Sequence, residues 1–95
     1  MKDPHDILIR PVITEESTDR MALGQYTFEV APDANKIEIR QAVEAIFRVH
    51  VTKVNTMWDR GKTRRRGGKV TREPDRKRAI VSLKPGESIE LFETR

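Results

Sequence analysis

Ten of the nineteen lysine and arginine residues of this 95-residue chain fall within positions 60–78, beside only two acids, Glu73 and Asp75. That stretch carries +8, while the rest of the chain, with nine bases and thirteen acids, carries −4. A strip this cationic, with glycines and almost no apolar side chain, has no surface worth removing from water and adds nothing to a core. It is either a solvated linker or a surface for a polyanion, because bases that neutralise phosphates release counterions and so gain affinity. Patterned apolar sequence lies on both sides of it, so the strip is an internal arm held at both ends rather than a tail. The fold must therefore be built by the flanking segments.

Those segments have room for one small core, so positions 1–95 are read as a single domain with an extended basic loop at 60–76. No apolar run exceeds three residues, so neither a membrane span nor a signal-peptide core is expected. The absence of cysteine removes disulfides and thiolate metal sites, and a cytoplasmic setting is expected.

Periodicity supplies the elements. Ile7-Leu8-Ile9 is a β-prone run expected to end before Pro11. Thr14, with Glu15 and Glu16 after it, reads as the N-cap of a short helix that Gly24 closes. Tyr26, Phe28 and Val30 alternate with polar residues as in a half-buried strand. Asn35 followed by Glu38 resembles a capping box, and Ile39, Ala42, Val43 and Ile46 form one helical stripe. Positions 49–58 read as a strand of conflicting parity, with Val51 and Met57 odd, Val54 and Trp58 even. Either a bulge lies there or both faces are partly covered. Ala79, Val81 and Leu83 mark a cleaner strand; Pro85-Gly86 is a type II turn signal, and Ile89 and Leu91 form a last extended segment. The sum is an α+β fold, with a mainly antiparallel four-stranded sheet and helices packed on it. The long basic hairpin loop joins its last two main strands.

Catalysis finds little support. His5 is placed in a frayed N-terminus and His50 at a helix–strand junction, with no orienting partner evident for either. Glu15 and Glu16 are adjacent on a helix and point about 100° apart. Gly61, Gly67 and Gly68 fit neither phosphate-loop pattern. No cofactor or metal site is expected.

A nucleic-acid partner is better supported. Arg64, Arg65 and Arg66 offer permanently charged forks, and Arg60, Lys62, Lys69, Arg72, Arg76, Lys77 and Arg78 add further charge. Trp58 is either a stacking platform for an unpaired base or a hydrophobic foot for the hairpin. Aromatic-rich RNA-reading motifs are absent, which favours a large folded RNA recognised by shape and backbone.

The segments Arg10 to Ser17, Tyr26 to Val30, Asn35 to Val43 with Phe47, Val54 to Met57, Gly61-Lys62 and Arg76 to Val81 together resemble one family. It is the bacterial large-subunit ribosomal protein L twenty-three family, matched in order over roughly positions 6–92. The resemblance implies a structural protein bound to 23S rRNA at the polypeptide exit tunnel, beside neighbouring large-subunit proteins. It further implies that the outer surface docks trigger factor, signal recognition particle and the protein-conducting translocon, without membrane insertion. Glu15 is implied as the chaperone-docking residue. Against the family pattern the arm carries Gly68 and Glu73 where bases are expected and Thr71 where a glycine is expected, so it is less cationic at the base of the loop, and Trp58 stands where a small polar residue is expected. The alternative is a stand-alone RNA-binding or RNA-chaperone module.

Overall fold

The computed structural model describes residues 3–90. In chain order the elements are α1 (Pro4–Ile7), β1 (Leu8–Pro11), α2 (Glu15–Met21), β2 (Gln25–Val30), α3 (Lys36–Phe47), β3 (Val51–Asp59), β4 (Thr63–Arg66), β5 (Lys69–Arg72) and β6 (Arg76–Leu83). Strands β1-β2-β6-β3 form one antiparallel sheet in that order, and β4 and β5 form a separate two-stranded ribbon. The expected α+β fold with a four-stranded sheet and packed helices is what the chain adopts.

The core is the meeting of two periodicities. Tyr26, Phe28 and Val30 on β2 and Ala79, Val81 and Leu83 on β6 point to one face of the sheet, where Ile39, Ala42 and Val43 of α3 cover them. Phe28 and Phe47 bring their rings to 5.6 Å between centroids at a tilted angle, a favourable aromatic pair. The expected capping box starts α3: Asn35 Oδ1 accepts from Glu38 N–H at 2.8 Å, and Glu38 Oε1 accepts from Asn35 N–H at 3.0 Å. Arg48 then ends the helix in the left-handed region at φ 55°, its N–H still donating to the Glu44 carbonyl. With α3 ended there, Val49 and Val51 reach the core.

A bulge between Val51 and Lys53 resolves the parity conflict in β3. Before it Val51 pairs with Leu83 on the core side; after it Val54 pairs with Val81 on the same side. Met57 is thereby sent to the opposite face, where it meets Arg78. That second face is also partly covered. Helix α2 packs on β2 there, burying Ser17 and Thr27 and sheltering Ile80. The helices thus lie on both sides of the sheet.

The N-terminal reading needs correction. Residue Ile7 belongs to a single helical turn, not to the strand, and His5 lies within that turn rather than in a frayed end. Asp3 accepts from His5 N–H at 2.9 Å and Pro4 occupies the first helical position, a start signal that the apolar run obscured. The strand extends into Pro11 because β1 is an edge strand, where a missing N–H costs no ladder bond. Thr14 caps α2 as expected, but its reciprocal partner is Ser17, whose hydroxyl accepts from Thr14 N–H at 2.7 Å. Gly24 follows at φ 76°. Gly86, at φ 90°, makes the type II turn after β6. Ile89 is buried, with its N–H donating to the Tyr26 hydroxyl at 3.2 Å; Leu91 lies outside the described residues.

Two isoleucines of α3 give a direct check on this packing. Ile39 is fully buried, whereas Ile37 is 67% exposed. Ile39→Ala is expected to cost about 2–5 kcal/mol in urea unfolding and Ile37→Ala less than about 0.5 kcal/mol.

Candidate nucleic-acid interface

Beyond Asp59 the β3–β6 ladder stops, and the chain between its ends folds back on itself. Thr63 pairs with Arg72, Arg64 with Thr71, Arg65 with Val70 and Arg66 with Lys69. Gly67 and Gly68, at φ 55° and 81°, form the two-residue turn, and only glycine takes two successive positive φ values without steric cost. The expected basic hairpin loop is therefore a regular ribbon at its tip. Every residue of β4 and β5 is exposed. Facing residues of an antiparallel pair share a side, so Arg64, Arg66 and Lys69 line one face, and Arg65 and Arg72 the other. Cations look outward from both.

The two acids of the arm lie at its base. Asp75 Oδ1 accepts from Gly61 N–H at 2.7 Å and from Arg72 at 3.2 Å, and Glu73 N–H donates to the Lys62 carbonyl at 3.0 Å. Glu73 Oε1 lies 2.6 Å from Arg64 Nε. Gly61 is held so closely that a Cβ there would fall 1.6 Å from the Glu73 carbonyl oxygen. No other residue fits this position without moving backbone. The acids thus clamp the root of the ribbon and occupy two of its arginines. Charge composition gave no sign of this clamp; the separation of Gly61 and Asp75 across the loop becomes a contact only once the hairpin register is known.

The ten bases named from sequence divide into two groups. Arg60, Lys62, Arg64, Arg65, Arg66, Lys69, Arg72 and Arg76 are exposed. Lys77 and Arg78 are turned onto the body. The Lys77 ammonium donates to the Ala34 carbonyl and lies 5.7 Å from the Trp58 ring centroid. Arg78 Nε approaches Asp59 Oδ2 to 2.6 Å, an ion pair outside aligned hydrogen-bond geometry, and Arg78 also reaches Met57 Sδ at 3.5 Å. Trp58 itself is 54% exposed and so is not a core residue. It borders an open cleft of about 510 Å³ at the root of the arm, together with Arg60, Lys62, Arg64 and Arg76.

The remaining candidates fall elsewhere. Glu15 is exposed in the first turn of α2, with no hydrogen-bond or ion-pair partner among the described residues, while Glu16 pairs with Arg20. His50 bonds Glu87 through both its backbone N–H, at 2.8 Å, and its ring Nδ1, at 3.1 Å, tying the last turn to the start of β3. Those bonds hold the Glu87 carboxyl below the ordinary glutamate range. This is a structural tether. Among the described residues no cluster of three potential metal ligands occurs, and no helix is long and apolar enough to cross a membrane.

A body of net charge −4 carrying an exposed cationic ribbon makes a small basic protein. The sequence matches the family described as Ribosomal protein L23 over residues 6–91. It is 54% identical over 93 residues to the large ribosomal subunit protein uL23 of Pelotomaculum thermopropionicum, covering 98% of each chain. It is 52% identical to that of Symbiobacterium thermophilum, over 96% of this chain and 97% of the relative. With the Thermus thermophilus protein it shares 47% over 98% and 97% of the two chains. The chain belongs to the ribosomal protein L23 family. Its role is structural and ribosomal, not enzymatic.

The clamp has a pH signature. The Gly61 N–H, followed by the charges of Arg72 and Arg60, holds the Asp75 carboxyl below its ordinary value of 3.8. A carboxyl lowered on folding contributes fully above its unfolded value and loses that contribution as pH falls through the lower folded one. In an NMR acid titration the Asp75 midpoint should lie below 3.8, with the Gly61 amide shift following it. Asp75→Asn should abolish that amide transition.

Proposed function

We propose that the protein is a component of the large ribosomal subunit whose arm grips 23S rRNA near the polypeptide exit tunnel. The observation that carries this reading is the ribbon itself, exposed along its whole length with cations on both faces. A ribbon of that kind fits between two RNA backbones, neutralising phosphates on each side without reading base edges. Eight of the ten bases are exposed, and Arg64 and Arg72 are already paired with acids. Arg60, Lys62, Arg65, Arg66, Lys69 and Arg76 remain for phosphates, with Arg64 and Arg72 joining where an exposed ion pair, worth at most about 1 kcal/mol, exchanges carboxylate for phosphate. Lys77 and Arg78 serve the body instead. The acidic balance outside the arm keeps the rest of the surface from competing for the polyanion.

Six phosphate contacts give a slope of log K against log salt of about −5, with the duplex coefficient standing for folded RNA. Replacing Arg64, Arg65 and Arg66 together by Ala should flatten that slope by about 2–3 and move tagged protein from the large-subunit peak of a lysate gradient to the free pool. An unchanged slope would assign the RNA contact to the body. Wild-type protein absent from the large-subunit peak would instead favour the stand-alone RNA-binding module.

The same reading gives the body an outward face that docks nascent-chain factors, trigger factor and signal recognition particle among them, and the translocon. Glu15 supports it as an exposed carboxylate with no partner among the described residues, placed on the acidic part of the molecule. Its other use is to complement the dipole of α2, a matter of about 0.3–1 kcal/mol. The two uses separate on one substitution. Glu15→Ala should leave ribosome incorporation intact and weaken trigger-factor binding to purified ribosomes by about 1–3 kcal/mol; equal affinity would leave Glu15 as a helix-start charge alone.

A further inference from the structure

The Trp58 cleft carries a second kind of recognition. Trp58 is the only tryptophan of the chain and stands one pair before the end of the β3–β6 ladder, opposite Lys77. An indole held there for packing would be covered, yet 54% of this residue is exposed. One side of the ring is nonetheless engaged. The Lys77 ammonium sits over the ring at 5.7 Å and is itself held by the Ala34 carbonyl, which supports the indole from one side. The remaining surface borders the 510 Å³ cleft, a volume within the roughly 300–1,000 Å³ range of small-ligand sites.

The charges around the cleft are sorted. Both acids on its wall are committed, Asp59 to Arg78 at 2.6 Å and Glu73 to Arg64 at 2.6 Å. Arg60, Lys62 and Arg76 line the same cleft and have no ion-pair partner among the described residues. A flat apolar platform beside three cations that form no ion pair suits one chemistry above others: a planar base joined to a phosphate.

We propose that this cleft binds one unpaired nucleotide of the RNA held by the arm, its base stacked on Trp58 and its phosphate on Arg60, Lys62 and Arg76. This rests on the RNA-binding reading above and adds to it a place where the protein distinguishes unpaired from paired RNA. The ribbon contacts backbone and tolerates any sequence, whereas a stacking platform needs a base that has left its helix. Trp58 therefore orients the arm on RNA by engaging a bulge or loop nucleotide beside its root.

The sole tryptophan provides the readout. Two RNA hairpins of one sequence, one with a single bulged adenosine and one fully paired, are titrated against wild-type protein, Trp58→Ala and Trp58→Phe. The bulged hairpin should quench Trp58 fluorescence and bind wild-type protein about 5- to 150-fold more tightly than the paired one, the range of one stacked base. Trp58→Ala should erase that preference while keeping the salt slope, and Trp58→Phe should retain part of it. Equal binding of both hairpins by wild-type protein without quenching, or an undiminished preference in Trp58→Ala, overturns the stacking site and leaves the arm reading standing. Failure of the wild type to bind either hairpin at low salt removes the arm reading itself, and the nucleotide site with it.

Discussion

The antiparallel ladder between β3 and β6 is the constraint on which everything else rests. It runs from Val51 opposite Leu83 to Asp59 opposite Arg76, and β6 is also the strand onto which β2 pairs. One end of this ladder is buried against α3; the other end emits the arm. A segment with a charge of +8 cannot hold its own direction by burial, so its direction is borrowed from strands that do bury their side chains. That is why the most charged part of the chain is joined to its most regular part. Weakening the ladder would cost the molecule its core and its arm together.

Within the arm, two opposing electrostatic demands are met at different places. The tip leaves its cations in water on both faces of a ribbon, where solvent and counterions screen their repulsion. The root draws together Gly61, Glu73 and Asp75 in backbone and side-chain hydrogen bonds, at the cost of occupying Arg64 and Arg72. Glu73 and Asp75 are thus not simple losses of positive charge. Ion pairs this exposed add little stability, so the fixed geometry comes mainly from the Gly61 N–H on Asp75 and the close backbone approach that only glycine permits.

Local signals with a mechanism were legible in the sequence. Thr14 and Asn35 announced both longer helices through their caps, and the Ile39, Ala42 and Val43 stripe named the covering face. The parity conflict in 49–58 left open a bulge or two partly covered faces, and the structure has both: a register shift between Val51 and Lys53, and α2 over part of the second face. What was hidden depended on tertiary placement. The turn at Pro4 was masked because Ile7 fits a strand pattern equally well. The side of the sheet taken by α2 cannot be read from a helix whose buried residue is a serine. Lys77 and Arg78 look like the rest of the basic run in sequence, and only their register opposite Trp58 and Met57 turns them onto the body.

The same register gives the proposed interface two characters. Along the ribbon, alternation sends neighbouring cations to opposite sides, which suits a backbone on each side and no particular base. At the root, alternation instead puts Lys77 beside Trp58, and the cation that would have reached for phosphate becomes the support of an exposed indole. A residue's charge therefore does not fix its role at this interface; its position along the hairpin does. Along the ribbon Arg65, Arg66 and Lys69 make no ion pair among the described residues, while Arg64 and Arg72 hold exposed pairs with the acids of the root. Next to the sheet a lysine or arginine has carbonyls, carboxylates and a ring within reach, and it is drawn into the protein. The boundary between these regimes falls at Asp59 and Arg76, the last pair of the ladder, and the cleft opens there.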